Sequence, residues 1–162
     1  MILITFMEII VGFGEEESML RILSIDPSGT GTTGVCLVDK QITFQEFKSK
    51  DWKEHLTFIK DLLLKENPSL LLYETTNYIN SKGKDMTSLL KLMGAMESLP
   101  VQTESLLVSQ VKDLKSKVFK KTKPIPHLLF KPGQGWFYRQ NKISLHQLDA
   151  FLVYWLWKEQ HG

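Results

Sequence analysis

The chain has 162 residues, of which 43% are apolar and 23% are charged, and its formal net charge is +2. This length suits one globular domain with its own core, and the ordinary composition excludes a collagen-like or long disordered chain. Cys36 is the only cysteine, which excludes a disulfide framework. A lone cysteine in an apolar run is typical of a buried thiol in a reducing compartment, so we predict a cytoplasmic protein.

Residues 1–18 carry four glutamates and no lysine or arginine. Their apolar run lacks the positively charged segment and the small-residue cleavage site of a signal peptide, and it is too short to cross a bilayer. The codons of Glu15-Glu16-Glu17-Ser18 must be purine-rich, like a bacterial ribosome-binding site just before Met19. We therefore expect residues 1–18 to be a non-native or disordered extension, residues 19–162 to form one domain, and no membrane to be a partner.

Hydrophobic periodicity after residue 20 predicts five strands. Apolar runs bounded by turn residues are typical of strands, and the run ending at Glu74 is apolar enough for a strand buried on both faces. The predicted strands are residues 21–26, 33–39, 41–48, 69–74 and 101–104.

Apolar residues at intervals of three and four predict four helices. Asp51 and Ser144 each begin a helix with the spacing of a capping box. The predicted helices run from Asp51 to Asn67-Pro68, over 86–98, over 107–119 and from Ser144 through Trp157. Residues 120–142, rich in proline, glycine and lysine, are predicted to be irregular. This order predicts an α/β fold in which helices cover a mixed sheet.

Two carboxylates stand where predicted strands end. Asp26 closes the first strand and Glu74 closes the fourth. If these strands are parallel neighbours, the two side chains lie together at one edge of the sheet. Adjacent carboxylates repel each other, and a divalent cation commonly relieves the repulsion. The small residues after Asp26 would leave room for a metal and a phosphate, although Asp-Pro is also an ordinary start of a turn.

His146 and Asp149 add two polar groups near the start of the last helix. They are three residues apart and therefore lie on one face. They could complete a site with Asp26 and Glu74, or they could simply face solvent. The packing face of this helix is predicted to be Leu145, Leu148, Phe151, Leu152 and Trp155.

A basic segment lies between residues 111 and 142. It holds nine lysines and arginines, and Asp113 is its only acid. A local field of one sign is suited to a polyanion such as nucleic acid, although a solvated charged face would have the same composition.

Four stretches, in this order and at these separations, resemble the RuvC-type Holliday junction resolvases of the ribonuclease H-like superfamily: ILSIDPSGTGTTGVCLV, LLLYETTNYIN, VSQVKDL and ISLHQLDAFLVYWLW. The resemblance covers residues 20 to 157. It implies a ribonuclease H-like mixed five-stranded sheet flanked by helices. Two features depart from the family pattern: the turn after Asp26 is about one residue longer, and His146 stands at a position that is usually acidic.

The resemblance implies an endonuclease that resolves four-way DNA junctions by two-metal-ion hydrolysis, giving paired symmetric nicks. Its implied metal ligands are Asp26, Glu74, His146 and Asp149, which would hold two Mg²⁺ ions, and Mn²⁺ is expected to substitute. Lys112 would stabilise charge on the reacting phosphate, and Tyr78 would stack on a base. The predicted DNA contacts are Tyr78, Lys82, Lys84, Lys115, Lys117, Lys120, Lys121 and Lys123.

The predicted partners are branched DNA, chiefly four-way junctions, and a second copy of the chain; nothing in the sequence identifies a helicase partner. Paired nicks need two sites, and the apolar stripe of the 86–98 helix could supply part of a dimer contact or simply pack in the core. That stripe is Met86, Leu89, Leu90, Met93 and Met96. Two alternatives stay open: another ribonuclease H-like nuclease, acting on RNA–DNA hybrid, branched DNA or structured RNA, and a non-catalytic nucleic-acid-binding module.

Overall fold

The computed structural model describes residues 20–75 and 84–162. The strands within them are β1 (Ile22–Asp26), β2 (Thr32–Val38), β3 (Ile42–Lys48), β4 (Leu70–Thr75), β5 (Gln102–Leu107), β6 (Leu128–Lys131), β7 (Gly135–Tyr138) and β8 (Asn141–Ile143). The helices are α1 (Trp52–Glu66), α2 (Lys84–Glu97), α3 (Val108–Phe119) and α4 (Leu145–His161). The predicted extension, residues 1–18, lies outside the described residues. None of the described helices combines the length and the apolar character needed to cross a membrane.

The main sheet has five strands in the order β3-β2-β1-β4-β5. The pairs β3–β2 and β2–β1 are antiparallel, whereas β1–β4 and β4–β5 are parallel. The predicted α/β fold with a mixed five-stranded sheet is therefore confirmed. The fifth strand continues to Leu107, three residues beyond its predicted end.

Helices cover both faces of this sheet. Successive side chains of a strand point to opposite faces, so Ile22 packs with α3 and α4 while Leu23 packs with α1 and α2. In β4, Leu70 and Leu72 pack on the α3–α4 side of the sheet and Leu71 packs on the other side. The predicted strand buried on both faces is therefore confirmed. Cys36 is fully buried in β2, and burial raises the pKa of its thiol. These observations agree with the buried thiol that the sequence predicts.

The prediction that residues 120–142 are irregular was wrong. They contain most of a second, antiparallel sheet in the order β6-β7-β8. Its strands are only three or four residues long, and β6 (LLFK) and β7 (GWFY) show no polar–apolar alternation. Such short runs cannot be distinguished from a loop by periodicity. The connections between the strands contain residues in the left-handed region: Gly133 with φ 76°, Arg139 with φ 47° and Gln140 with φ 72°.

The last helix is longer and more deeply buried than predicted. It ends at His161 instead of Trp157, and the predicted capping box between Ser144 and Gln147 is present. Leu145 does not join the packing face, since it is 58% exposed. Ala150, Val153 and Tyr154 are buried in addition to the predicted residues, because the main sheet, α3 and the small sheet all share one core with α4.

The first helix begins without the reciprocal capping box that its sequence suggests. The Asp51 side chain accepts a hydrogen bond from the Lys53 backbone N–H. Glu54 does not reciprocate, because its carboxylate accepts a hydrogen bond from the Ser49 hydroxyl. At its other end, the helix finishes with Asn67 in the left-handed conformation, directly before Pro68, as predicted.

Candidate active site

Strand direction places Asp26 and Glu74 together. β1 and β4 are parallel neighbours, and Ile25 lies opposite Tyr73. The residues that follow them, Asp26 and Glu74, therefore lie side by side at the same edge of the sheet. Because side chains alternate, Asp26 shares a face with Ser24, whose hydroxyl donates to the Ala150 carbonyl of α4 at 2.7 Å. Glu74 likewise follows Leu72, which packs in the core beneath α3 and α4. Both carboxylates therefore face the layer formed by these two helices.

Gly34 brings α4 onto this edge. In the antiparallel pairing of β1 and β2, Gly34 lies opposite Asp26. A Cβ atom added to Gly34 would lie 2.0 Å from the His146 carbonyl oxygen, so only glycine lets the start of the helix rest on the strand. This close approach positions His146 and Asp149 beside Asp26.

Two side-chain contacts join these elements. His146 Nδ1 lies 3.3 Å from Asp26 Oδ2, and Lys115 Nζ, from α3, lies 2.6 Å from Asp149 Oδ1. Asp26 and Asp149 are mostly covered, with side-chain exposures of 18% and 21%, whereas His146 is 48% exposed. The site thus combines shielded carboxylates with an accessible imidazole.

Burial and mutual repulsion make the carboxylates hard to ionise. The pKa of Asp26 is raised to about 7, chiefly by burial and then by the charge of Asp149, while Lys115 lowers it. The pKa of Glu74 is raised to about 8 by burial and by the charges of Asp26 and Asp149, against the lowering effects of Lys115 and Lys112. Glu74 therefore senses both aspartates, which shows that the three carboxylates form one electrostatic cluster.

The donor set fits a divalent cation. Glu74 Oε2 is buried and accepts no hydrogen bond from any described residue. Asp149 Oδ1 is also buried without a hydrogen bond, and its charge is balanced by the Lys115 ammonium alone. Carboxylate oxygens of this kind are the ligands that Mg²⁺ and Mn²⁺ prefer. In the arrangement of the described residues, no three such side chains converge tightly enough to form a metal cluster, so binding would draw the side chains closer together.

Lys115 is the lysine that reaches the carboxylates, and sequence reasoning had assigned it only to DNA. Lys112, which the resemblance assigned to the reacting phosphate, is exposed one helical turn earlier and acts on Glu74 by its charge. The three-residue spacing could have revealed that both lysines lie on one side of α3. The pairing of Lys115 with Asp149 had no local signal in the sequence.

A buried polar network supports the turn after Asp26. His55 of α1 is fully buried; its Nε2 donates to the Ser49 carbonyl at 2.8 Å, and its Nδ1 lies 2.8 Å from the Thr33 hydroxyl. Since a carbonyl only accepts, the Nε2 proton points to Ser49, and the contact of Nδ1 with the Thr33 hydroxyl gives the second ring nitrogen a partner. Thr33 in turn accepts from the Ser28 backbone N–H at 3.1 Å. Sequence reasoning missed this network, because the pattern of an amphipathic helix does not indicate which residues of other segments bind a histidine in it.

The remaining residues predicted to contact DNA differ in exposure and in ion pairing. Lys117 pairs with Asp113 at 2.8 Å and Lys123 pairs with Glu159 at 2.6 Å. Lys120 and Lys121 are exposed at the end of α3 and form no ion pair with the described residues. Lys84 is the first residue of α2. Tyr78 and Lys82 lie outside the described residues, so their roles stay predictions.

Comparison with solved structures identifies the fold. The chain is similar to T. thermophilus RuvC in complex with a Holliday junction substrate, with a TM-score of 0.59, 15% identity, and coverage of 89% of this chain and 98% of that one. It is also similar to another Thermus thermophilus RuvC structure, with a TM-score of 0.51, 16% identity and coverage of 83% and 90%. A fowlpox virus resolvase in complex with Holliday junction DNA gives a TM-score of 0.50, 15% identity and coverage of 88% and 99%.

No protein-family model matches the sequence, and no curated protein matches it significantly. The identities are low, so the comparisons establish the fold. The chain has the fold of these RuvC and fowlpox resolvase structures, in agreement with the fold that the sequence motifs predicted.

Proposed function

We propose that the protein is an endonuclease that resolves four-way DNA junctions by metal-dependent phosphodiester hydrolysis, giving paired symmetric nicks. The observation that supports this proposal is the contact of His146 with Asp26, together with the mutual charge effects of Asp26, Glu74 and Asp149, in a sheet that resembles the one in RuvC. Two of the similar structures are complexes with Holliday junction DNA. Ribonuclease H-like folds support other reactions too, so the proposal rests on the site as well as on the fold.

The four site residues would hold two Mg²⁺ ions, or Mn²⁺ in their place. Asp26 and Glu74 lie at the ends of adjacent strands and Asp149 faces both, so cations between them would relieve the repulsion that raises the carboxylate pKa values. When bound, the ions activate a water and stabilise the leaving oxygen of the phosphodiester.

The protein's own side chains orient the substrate and move protons. His146 is exposed enough to meet solvent or DNA, and with Nδ1 turned to Asp26 its Nε2 can give or take a proton. Lys112, exposed on α3, donates hydrogen bonds to the reacting phosphate. The lysines at 115, 117, 120, 121 and 123, with Tyr78, Lys82 and Lys84, bind the junction arms.

The proposal includes a homodimer in a reducing compartment, the cytoplasm. Two nicks of like polarity across a junction require two copies of a domain with one site each. The free, fully buried Cys36 agrees with a compartment in which disulfides are not needed.

A labelled synthetic four-way junction tests the proposal, with a linear duplex and an RNA–DNA hybrid of matched sequence as controls. We expect paired nicks in the junction when Mg²⁺ or Mn²⁺ is present and none in EDTA. Asp26→Asn should abolish cleavage and leave junction binding intact or tighter, because it removes a ligand and a negative charge while the lysines remain. Asp61→Asn, an exposed carboxylate on α1, is the matched control.

Each contrary result has a definite meaning. Cleavage of the hybrid but not of the junction would assign the protein to another class of ribonuclease H-like nuclease. Binding without cleavage of any substrate would indicate a non-catalytic module. Wild-type cleavage by Asp26→Asn would contradict the metal site.

A further inference from the structure

The small sheet of β6, β7 and β8 has one face that the domain core uses and one that it leaves open. Leu128, Trp136, Tyr138 and Ile143 are buried in the core shared with α3 and α4. Since side chains alternate along a strand, their neighbours in sequence point away from the core. This second set forms the outer face of the sheet: Leu129, Lys131, Phe137 and Lys142.

The outer face presents apolar groups between cations. Strand register places Leu129 opposite Phe137, and Phe137 opposite Lys142, so these three side chains form one row across the sheet. Lys131 Nζ lies 4.5 Å from the centre of the Phe137 ring. Leu129 is 49% exposed. A partly exposed leucine and phenylalanine beside two lysines are suited to a ligand that has both a flat apolar part and a negative charge.

A groove runs from this face to the β7–β8 turn. It is lined by His127, Leu129, Lys131, Phe137, Arg139 and Gln140. The Arg139 backbone N–H donates to the His127 carbonyl at 3.0 Å, which ties the turn to the start of β6. This hydrogen bond fixes two of the lining residues, His127 and Arg139, relative to each other.

The segment that forms the small sheet carries charge of one sign. Between Asp113 and Asp149 the sequence contains no aspartate or glutamate. Lys131, Arg139 and Lys142 form no ion pair with the described residues. Two acids of the main sheet lie at the rim: Asp39 lines a cavity together with Arg139 and Asn141, and Glu46 accepts a hydrogen bond from the Ser144 hydroxyl just after β8. The outer face itself carries Lys131 and Lys142, and such cations attract a polyanion.

The apolar row favours an unpaired strand over a duplex arm. A duplex presents phosphates along its outside and keeps its bases stacked inside, so it would meet the lysines but offer nothing to Phe137 and Leu129. An unpaired strand offers both phosphates and the faces of its bases, which stack on aromatic side chains without regard to sequence.

We propose that the outer face of the β6-β7-β8 sheet binds an unpaired strand of DNA, with Phe137 stacking on a base and Lys131 and Lys142 binding phosphates. The choice of DNA as the ligand rests on the proposed function. β8 leads through Ser144 into α4, and four residues from Lys142 to His146 span at most about 14 Å. A strand held on this face therefore lies close to the candidate active site.

Fluorescence anisotropy with labelled oligo(dT) tests this inference on the full chain. Phe137→Ala should weaken oligo(dT) binding by about 5- to 100-fold, the range expected for one stacked base, and should change the affinity for a duplex of equal length less than about twofold. Leu64→Ala, a more exposed apolar side chain on α1, is the matched control and should change neither affinity. Phe137→Trp should restore tight binding, because indole stacks at least as well.

The lysines give a second, independent measurement. The double variant Lys131→Gln with Lys142→Gln should reduce the log–log salt dependence of oligo(dT) binding by roughly 1.4, about 0.7 for each phosphate that the lysines no longer neutralise. Lys53→Gln with Lys60→Gln on α1 is the matched control. If Phe137→Ala does not fold, this pair of variants still tests the inference.

Two results would overturn the inference: unchanged oligo(dT) binding by Phe137→Ala and by the double variant, or equal losses for duplex and oligo(dT). Junction cleavage measured on the same wild-type preparation keeps this inference apart from the proposed function. Cleavage with no role for Phe137 in strand binding would remove only the inference. Strand binding through Phe137 without cleavage would remove only the proposed function.

Discussion

At the scale of single residues, the behaviour of the site follows from the burial of Asp26 and Glu74. Asp26 is the last residue of β1 and Glu74 the last but one of β4, and the residues before each are buried, so neither carboxylate is fully hydrated. The charge of Lys115 offsets part of the energetic cost of ionising these carboxylates. Among the described residues, Lys115 forms one ion pair, with Asp149. The surplus of negative charge is what would make the cluster a cation site.

The pH dependence of stability should reveal that folding disfavours the ionised form of Asp26. Its pKa rises from the ordinary 3.8 to about 7 on folding, so the folded chain holds this proton more tightly than the unfolded chain. The associated stability is complete below about pH 4 and is lost as pH rises through about 7. Asp26→Asn cannot ionise, so in EDTA its thermal midpoint should exceed that of wild type by about 3 °C or more at pH 8, and by less at pH 5.

Thermal unfolding at both pH values, with and without Mg²⁺, measures this effect. Mg²⁺ should stabilise the wild type and narrow the gap at pH 8, because binding to the folded state alone raises stability. Asp61→Asn should behave like the wild type. Equal midpoints for wild type and Asp26→Asn at both pH values would contradict the assigned pKa.

Lys115 and Lys112 should have separable effects on cleavage. Lys115→Gln removes the cation that most lowers the pKa values of Asp26 and Glu74, so the rise of the cleavage rate with pH should shift to higher pH. Lys112→Gln should lower the maximal rate by about 100-fold with little change in affinity, as expected for loss of a group that stabilises charge on the phosphate. Single-turnover rates at saturating enzyme, measured across pH beside binding isotherms, distinguish the two. Identical profiles for both variants would argue against these roles.

At the scale of elements, glycines let helices rest on the site. Gly34 admits the start of α4, and Gly29 admits α2, since a Cβ there would lie 2.6 Å from the Leu89 backbone nitrogen. The small residues after Asp26 had been expected to leave room for a metal and DNA. The structure gives these two glycines a different role, because the space beside them is filled by helix backbone.

Gly34→Ala should therefore destabilise the protein, with a thermal midpoint lower by several degrees, and it should lower cleavage by displacing His146. The new methyl group would collide with backbone that cannot move aside on its own, and overpacking of this kind costs about 1–3 kcal/mol or more. Gly94→Ala on α2 is the matched control. Its Cβ would meet nothing within 4 Å, so the same substitution should stabilise by about 0.5–1 kcal/mol, because alanine favours a helix. Midpoints that fall equally in both variants would contradict this explanation.

At the scale of the whole molecule, most of the apolar stripe of α2 is buried in the core of the domain, which limits the surface left for a dimer contact. Met96 is fully buried and Met93 nearly so, and Leu89 packs against the same cluster. Of the predicted stripe, Leu90 remains the exposed member, at 36% exposure, and Met86 is half-buried. The burial supports the core interpretation for most of the stripe and restricts the proposed dimer contact to its outer edge.

If the dimer uses that edge, Leu90→Glu should shift the protein toward monomer and suppress paired nicks, because an unpaired charge in an apolar contact is costly. Sedimentation velocity at micromolar concentration, beside junction cleavage, checks both effects. Leu64→Glu, at a position 83% exposed on α1, is the control. A wild-type monomer that still makes paired nicks would remove the dimer from the proposal.

The sequence by itself determined the main sheet and its helices, and it placed two carboxylates near one edge of that sheet; the four metal ligands stay a prediction from the resemblance. These features follow from local rules: apolar spacing reflects burial, Ser144 and Gln147 form a cap, and parallel strands bring Asp26 and Glu74 to one edge. The motifs also predicted the fold that the structural comparisons show.

Only the tertiary structure decided which groups from distant segments touch. The pairing of Lys115 with Asp149, the packing of Gly34 against α4 and the link from His55 to Thr33 join elements whose spacing depends on helix packing. The small sheet was likewise hidden, because strands of three or four residues are stabilised by pairing and by a shared core, neither of which leaves a long periodic pattern. Local sequence records whether a side chain is buried, and the packing of distant segments determines what it is buried against.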